Sequence, residues 1–355
     1  MTSEAHRPSQ ASPTAAASTA PLPLRRGMFV SWAKLRRADT IAAKLGMPSY
    51  TVRYFYAGTP LLLTIWKYFL QAVRTFFLLL KQRPAVVFVT SPPVFAVAPV
   101  WLYASLFRAR YVVDHHSGCF LERSWQRWDR LQGFFARHAT INLVHNRENA
   151  REAERWHART FVFPSLPPLD LPALAGPRPP GRKGAAPGAQ RVVYICSFKS
   201  DEPFDTFFAA AKDLPSVEFF VTGRPPEKLH SDLPTNVQLT GFLREKDYLA
   251  LLISADLIVA LTTRGGTLLY GAQEAIALAK PLLLSRMPTL EAYFSGGAVF
   301  AANEPESLRD GIRSALARRD ELSVRMGAFR DRCVAEGEER LDELRRALAP
   351  RPEIS

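Results

Sequence analysis

The chain has 355 residues, 47% of them apolar and 22% charged, with a formal net charge of +13 and three cysteines. That length exceeds the roughly 250–300 residues at which one core usually stops growing, so two domains are expected. Cys119, Cys196 and Cys333 are odd in number and widely spaced, which argues against a disulfide framework or a zinc site and fits a reducing, cytoplasmic compartment.

Between Leu22 and Thr160, 21 Lys and Arg face 7 Asp and Glu, so the first half carries all of the excess charge. Its partner should be anionic, either nucleic acid or an acidic membrane surface. No RNP pattern, zinc spacing or heptad run accompanies the charge, so no nucleic acid is expected and an anionic membrane surface is preferred.

Residues 1–21, rich in Ala, Ser, Thr and Pro, predict a disordered tail, and they lack the apolar segment of a signal peptide. Residues 22–165 then alternate strand-like runs with helical ones. The strands fall at Met28–Val30, Tyr50–Phe55, Ala85–Thr90, Tyr111–Val113, Thr140–Val144 and Thr160–Phe163, and the helices at about 59–80, 93–107, 124–138 and 146–156. Such alternation implies a parallel, doubly wound sheet. Pro60–Leu80 is long enough to span a bilayer, but Lys67 and Arg74 interrupt it. A buried crossover helix with an exposed basic face, dipping at most into a membrane interface, is the expectation.

Residues 166–190, dominated by Pro, Gly and Ala, read as an interdomain linker. A second alternation fills 191–335, with strands at Val192–Cys196, Val217–Thr222, Val237–Thr240, 256–261, 281–284 and Ala298–Ala301. Helices are expected at 203–213, 245–254, 268–278, 288–294, 304–318 and 320–348. Residues 336–355 form a C-terminal helix and tail that can pack back on the first domain. Two Rossmann-like domains facing across a cleft follow, and domain interfaces favour small-molecule sites.

Three common site motifs are missing: Gly-x-Gly-x-x-Gly after the first strand of either half, Gly-x-x-x-x-Gly-Lys-Ser/Thr, and Gly-x-Ser-x-Gly. Dinucleotide-dependent dehydrogenases, P-loop nucleotidases and α/β-hydrolases are thereby disfavoured. What remains are loops at strand carboxyl ends. Within Leu257–Leu283, an apolar run stops at Thr262-Thr263-Arg264-Gly265-Gly266-Thr267 and a helical pattern with Glu274 follows. Backbone amides of such a loop and the next helix N-terminus can hold an anion, although an ordinary strand-to-helix connection has the same pattern. Ser197 and Lys199 follow one strand and Gly223-Arg224 another, so two cations are available for a diphosphate, or for solvent. Glu274 can accept both hydroxyls of a ribose or pair with a neighbouring cation. In the first half, Asp114-His115-His116-Ser117-Gly118 can orient a substrate hydroxyl, supply half of a metal site, or cap a helix.

The run Tyr248-x-x-Leu-Leu-x-x-Ala255-Asp256-Leu-x-Val, then Thr-Thr-Arg-Gly-Gly-Thr and Gly-Ala-Gln-Glu-Ala-x-x-Leu-x-Lys-Pro, resembles the nucleotide-binding half of retaining GT-B glycosyltransferases. These are the family-four-like enzymes of bacterial polysaccharide assembly. Ser91-Pro92-Pro93 and Asp114-x-His116-Ser117-Gly118-x-Phe120 are similar to the acceptor half of that group, and the resemblance extends over about 25–348. It implies an α/β GT-B fold and transfer of a hexose from a nucleoside-diphosphate sugar to a saccharide or lipid-linked saccharide acceptor. No cofactor and no metal are implied, and the chain has no Asp-x-Asp pair. Localisation would be cytoplasmic and peripheral on the inner face of the plasma membrane.

By resemblance, Glu274 binds the donor ribose, Lys199 neutralises the diphosphate, and His116 contacts the transferred sugar. Gly265, Gly266 and Thr267 approach sugar and phosphate through their amides, with Ser197, Gly223, Arg224, Thr263 and Arg264 beside them. Ser31, Trp32, Asp114, His115 and Ser117 lie on the acceptor side. Two departures stand out: Gly266 occupies the place of the first glutamate of the family's Glu-x7-Glu element, and Ser31-Trp32 replaces a Gly-Gly loop. A catalytically silent nucleotide-sugar-binding or partner subunit is the alternative that these departures keep open.

Overall fold

The computed structural model describes residues 26–54, 61–177, 179, 181, 188–230 and 233–349. The tail expected at 1–21 lies outside the described residues, as does much of the second half of the linker. The first domain runs through β1 (Gly27–Ser31), α1 (Arg36–Lys44), β2 (Ser49–Thr51), α2 (Leu61–Gln82), β3 (Val86–Ser91), α3 (Val97–Phe107) and β4 (Arg110–His115). It continues through α4 (Gly118–Leu121), α5 (Arg123–Gln126), α6 (Asp129–His138), β5 (Ile141–Val144), α7 (Arg147–Glu154) and β6 (Thr160–Val162). A short α8 (Leu171–Leu174) precedes β7 (Arg191–Tyr194), α9 (Phe204–Lys212), β8 (Glu218–Thr222), β9 (Val237–Gly241), α10 (Glu245–Ser254) and β10 (Leu257–Ala260). The chain ends with α11 (Tyr270–Ala277), β11 (Leu282–Ser285), α12 (Pro288–Phe294), β12 (Ala298–Ala301), α13 (Pro305–Ala317) and α14 (Arg319–Ala347).

Both sheets are six-stranded and parallel throughout, ordered β2-β1-β3-β4-β5-β6 and β12-β11-β10-β7-β8-β9. A strand covered by helices on both faces must be apolar at successive positions, and Val86–Val89 and Leu282–Leu284 are buried at every one. Strand order reverses between β1 and β3 in one sheet and between β7 and β10 in the other. Open α/β sheets bind ligands at the carboxyl ends of strands at such switch points. Four stretches of chain therefore matter most, those leaving Ser31, Ser91, Tyr194 and Ala260.

Each face of each sheet has its own core. Met28, Val30, Val87, Val89 and Val113 pack under α2 and α3, while Phe29, Phe88 and Val112 pack under α1 on the other side. That second core also takes in Leu341, Leu344 and Leu348 from the end of α14. Earlier in the same helix, Leu322, Met326 and Phe329 belong to the cores of the second domain. At 29 residues α14 is about 43 Å long, enough to cross from one domain to the other. The linker is also tied down in part: Leu171 is fully buried beside Leu249 and Ala277, and the Gly176 amide donates to the Lys246 carbonyl at 2.9 Å.

Three local features differ from expectation. Arg36–Lys44 forms a helix where none was predicted, because only Ala38, Ile41 and Ala42 supply an apolar stripe over nine residues. The helix expected at 124–138 is broken at Arg127–Trp128 into α5 and α6. The third is α2, expected as a buried crossover with an exposed basic face. It buries Gln71, Thr75 and Leu79, but its outer face is largely apolar, with Trp66 62% and Phe77 64% exposed.

Because Leu344 is fully buried in a core of the first domain, Leu344→Ala is expected to cost ~2–5 kcal/mol in denaturant unfolding. A loss of well under ~1 kcal/mol would show that α14 only rests on that domain.

Candidate functional site

The loop after β10 is built by hydrogen bonds to the loop after β7. Thr262 Oγ1 donates to Asp201 Oδ2 at 3.0 Å, the Thr263 amide to the Asp201 carbonyl at 2.7 Å, and the Arg264 guanidinium reaches Asp201 Oδ1 at 3.4 Å. Behind them Ser285 accepts from the Thr262 amide at 2.9 Å and donates to Asn303, which donates in turn to the Thr262 carbonyl at 3.0 Å. The two loops on either side of the switch point are thus one unit. Arg264 is also 4.0 Å from Glu122 of the first domain, so its charge is shared between two carboxylates.

Gly266 has φ of +69°, a left-handed conformation that favours glycine. A Cβ there would stand 3.1 Å from Glu148 Oε1 and 3.4 Å from Leu121, both in the first domain. Asn146, which caps α7 by accepting from the Asn149 amide, also donates to the Gly266 carbonyl at 3.2 Å. Glu148 in turn accepts from Thr289 of the second domain. The space above residue 266 is therefore occupied by a carboxylate from across the cleft. The Thr267 hydroxyl oxygen is buried without a partner among the described residues.

Gly223 has φ of +92°, and a Cβ on it would lie 2.2 Å from the Cys196 carbonyl oxygen. It lets the loop after β8 lie directly on the loop after β7. Ser197 is held by Glu202, which accepts from the Ser197 amide at 2.8 Å, its hydroxyl at 3.0 Å and the Lys199 amide at 2.9 Å. These amides, expected to face an anion, already hold the Glu202 carboxylate. The Lys199 and Arg224 side chains are exposed and meet no carboxylate among the described residues.

Glu274 lies on α11, 5% exposed, and accepts from the Tyr248 hydroxyl at 2.5 Å. Burial pushes its carboxyl up to about 7, against the lowering effects of the Tyr248 hydrogen bond and of Arg36 from the first domain. Arg36 itself pairs with Glu245, a link from α1 to α10. A half-neutral carboxyl at the cleft, with one hydroxyl already bound, is suited to exchange that hydroxyl for those of a sugar.

In the first domain Asp114 ends β4 and is fully buried. Burial alone would raise its carboxyl, but Arg37 overrides this with bonds to both oxygens at 3.0–3.1 Å. His116 and His145 reinforce the effect, and Asp114 stays ionised far below the usual carboxylate range. His116 Nε2 is 3.4 Å from Asp114 Oδ2, within ion-pair reach but not aligned for a hydrogen bond, and its ring meets His145 at 4.6 Å. Burial and the Arg37 charge keep His145 neutral well below the ordinary histidine value. His115 points into the core, bonded to Asn142 at 3.0 Å and pushed down to about 4 by burial. Ser117 accepts from Asn149 at 3.0 Å, and Ser31 donates to the Ala33 carbonyl at 2.8 Å. Trp32, expected on the acceptor side, instead turns its indole under α2, where Nε1 donates to Thr75 at 3.0 Å. Its bulk has no room in the loop and is buried with the aromatic residues there.

Arg37 and His145 were absent from the sequence-based site. An Arg-Arg pair in a basic half carries no signal of its own, and nothing local marks His145 as facing His116. Asp114, His116 and His145 bring ligand atoms within 4.8 Å of one another, the spacing of a metal site. The Arg37 guanidinium on both Asp114 oxygens opposes a second cation there.

A cavity of about 1150 Å³ opens between the domains, lined by His145, Glu148, Gly265, Gly266, Thr289 and Arg332 among others. It touches the sugar-facing end of the expected site and not Glu274 or Lys199, which lie along the other part of the cleft.

No protein-family model and no curated protein matches the chain. Among solved structures it is similar to sucrose-phosphate synthase from Thermosynechococcus elongatus, at 14% identity and a TM-score of 0.66 over 90% of this chain and 97% of that one. It is similar also to HepE of Anabaena in complex with UDP, at 11% identity and a TM-score of 0.64 over 91% and 100%. A third is a protein described as a UDP-N-acetylglucosamine 2-epimerase of Listeria monocytogenes, at 13% identity and a TM-score of 0.56 over 89% and 97%. The fold is GT-B. At these identities the likeness extends to the fold, and reaction and ligand have to be argued from this chain's residues.

Two outcomes test the GT-B site. Asp114→Asn leaves the Arg37 charge buried and is expected to cost ~3–5 kcal/mol at neutral pH. Since the folded-state value of Asp114 is depressed, the stability it confers is complete above the unfolded-state value near 4 and is lost as pH falls below it. Glu274 has the opposite sign. Its folded value of about 7 is raised, so its favourable contribution is full below about 4.5 and is lost as pH rises through 7. Glu274→Gln should therefore melt increasingly above wild type between pH 5 and 8.5, and parallel melting curves would refute the assignment.

Proposed function

We propose that the protein is a glycosyltransferase that moves a hexosyl group from a nucleoside-diphosphate sugar to an acceptor hydroxyl. In the fuller reading the acceptor is a saccharide, most simply a lipid-linked one, the configuration is retained, no metal takes part, and the product serves a cell-surface polysaccharide. The observation that carries this is Glu274, a buried carboxyl at the cleft, beyond a glycine loop at the switch point of a GT-B sheet. Uridine is the first base to try, because HepE, which has the same fold, is described with UDP and with UDP-glucose.

In this reading ionised Glu274 accepts the ribose hydroxyls and releases Tyr248. The amides of Gly265, Gly266 and Thr267, with Lys199 and Arg224, face the diphosphate, and positive groups fixed where charge develops supply the largest catalytic term. The C1–O bond to the diphosphate breaks as the acceptor oxygen bonds to C1 on the same face, and the acceptor proton passes to the departing phosphate oxygen. His116, beside the buried Asp114, holds a sugar hydroxyl across the cleft. Cys119 and Cys196, free and buried, support a cytoplasmic, reducing compartment.

A second reading has its own observation. With no side chain at 266 and with Glu202 seated on the Ser197 and Lys199 amides, the protein can bind a nucleotide sugar without turnover. Melting with UDP, GDP and their sugars separates these readings from neither. A cognate nucleotide at 100 times its Kd stabilises by about 2.7 kcal/mol. Glu274→Ala should abolish that shift while the unliganded fold remains. If UDP and GDP shift wild type and Glu274→Ala equally, the donor site is misplaced. Where binding is present, glycosyl transfer or donor hydrolysis, lowered ~10²–10³-fold in Lys199→Ala, favours the enzyme over the silent subunit.

A further inference from the structure

The first domain has an apolar surface that its own fold leaves uncovered. On α2, Leu63, Ile65, Trp66, Phe69 and Phe77 are each more than half exposed, and on the adjoining α3 so are Leu106 and Phe107. Tyr68 meets Phe95 at 5.4 Å and Phe95 meets Trp128 at 4.8 Å, which carries the surface on to the start of α6. Contiguous exposed patches of this size mark an interaction site.

The opposite face of α2 belongs to the domain. Gln71 donates to the Val52 carbonyl at 2.7 Å, Thr75 accepts from Trp32 at 3.0 Å, and Leu79 is fully buried. At 22 residues α2 is about 33 Å long and could span a bilayer by length. Leaving the sheet to do so would strand both hydrogen bonds and expose Leu79. The helix is therefore placed to lie along a surface and not through it.

Charge selects the occupant. Between Asp39 and Asp114 the chain has no Asp or Glu, and it has eight Lys and Arg, among them Lys67, Arg74 and Lys81 on α2 and Arg108 at the end of α3. Two copies joined by this face would set cation against cation with no acid to answer. We infer that α2 and the end of α3 dock the protein in the plane of an anionic lipid bilayer, with the apolar side chains in the headgroup–acyl boundary and the Lys and Arg at the phosphates. Following β2 in a parallel sheet, α2 begins at the carboxyl edge, the edge that faces the cleft. The bilayer then lies one helix away from the loop at Ser31 and presents a lipid-linked hydroxyl to it. The inference names a surface for the acceptor of the proposed transfer, and the docking itself stands without that reaction.

Co-sedimentation with phosphatidylcholine vesicles, with and without phosphatidylglycerol, tests this on the full chain. Wild type should bind the anionic vesicles in a salt-sensitive manner. Trp66→Asp with Phe69→Asp should weaken binding at least about tenfold, and Lys67→Ala with Arg74→Ala should weaken it and flatten its salt dependence. Phe242→Asp, at an 85% exposed position of the second domain, should change nothing. Unaltered melting and an unaltered nucleotide-induced shift show that the variants are folded and keep the donor reading separate. The inference is overturned if wild type does not bind anionic vesicles, or if the α2 variants bind as wild type does. It is equally overturned if those variants convert a dimer to a monomer with no change at vesicles, which would assign the face to a second copy.

Discussion

Arg37 and Asp114 form a buried ion pair on which the first domain and the course of the chain out of it depend. Arg37 stands on α1, and besides both oxygens of Asp114 it reaches the Phe163 carbonyl at 2.7 Å and Ser165 at 3.4 Å. One guanidinium thus joins α1, the end of β4 and the segment that leaves β6 for the second domain. A buried pair of this kind adds little net stability over apolar packing of equal volume, because desolvating two charges offsets their attraction. Its consequence is position. Asp114 is held ionised at the carboxyl edge of the sheet, beside His116 and His145, and the chain exit is held beside it.

The cleft is assembled by polar contacts across the domains, among them Asn146 to Gly266, Glu148 to Thr289, Arg264 to Glu122 and Arg36 to Glu245. Acidic groups occupy places where a diphosphate or sugar would be expected: Asp201 on Arg264, Glu202 on the amides of Ser197 and Lys199, Glu148 above Gly266. A donor has to displace or share these partners, so binding would exchange one set of anion contacts for another. Gly266 makes sense in that setting. A glutamate side chain at 266 would meet the Glu148 carboxylate, and glycine removes the collision and the repulsion together.

Helix α2 shows how the same residues carry two meanings. Its apolar spacing reads as a crossover helix, and its inner face is one. Only the placement of Trp32, Thr75 and Gln71 decides that the remaining apolar residues face outward.

Much of the fold was legible in the sequence. Strands buried on both faces read as unbroken apolar runs, and turn residues separate them from the helices, so two doubly wound parallel sheets follow from local pattern alone. The loop at Thr262–Thr267 and Glu274 beyond it were legible for the same reason: polarity switches abruptly where a strand ends. What only the tertiary structure decided involves partners far apart in the chain. Arg37 finds Asp114 77 residues away, and Asn146 finds Gly266 at a separation of 120. The end of α14 enters the core of the other domain with apolar spacing that would serve either core. Local sequence determines which element forms, because backbone and side-chain preferences act over a few residues. Which charge neutralises which, and which apolar face stays uncovered, depends on elements meeting in space, and no local preference encodes that.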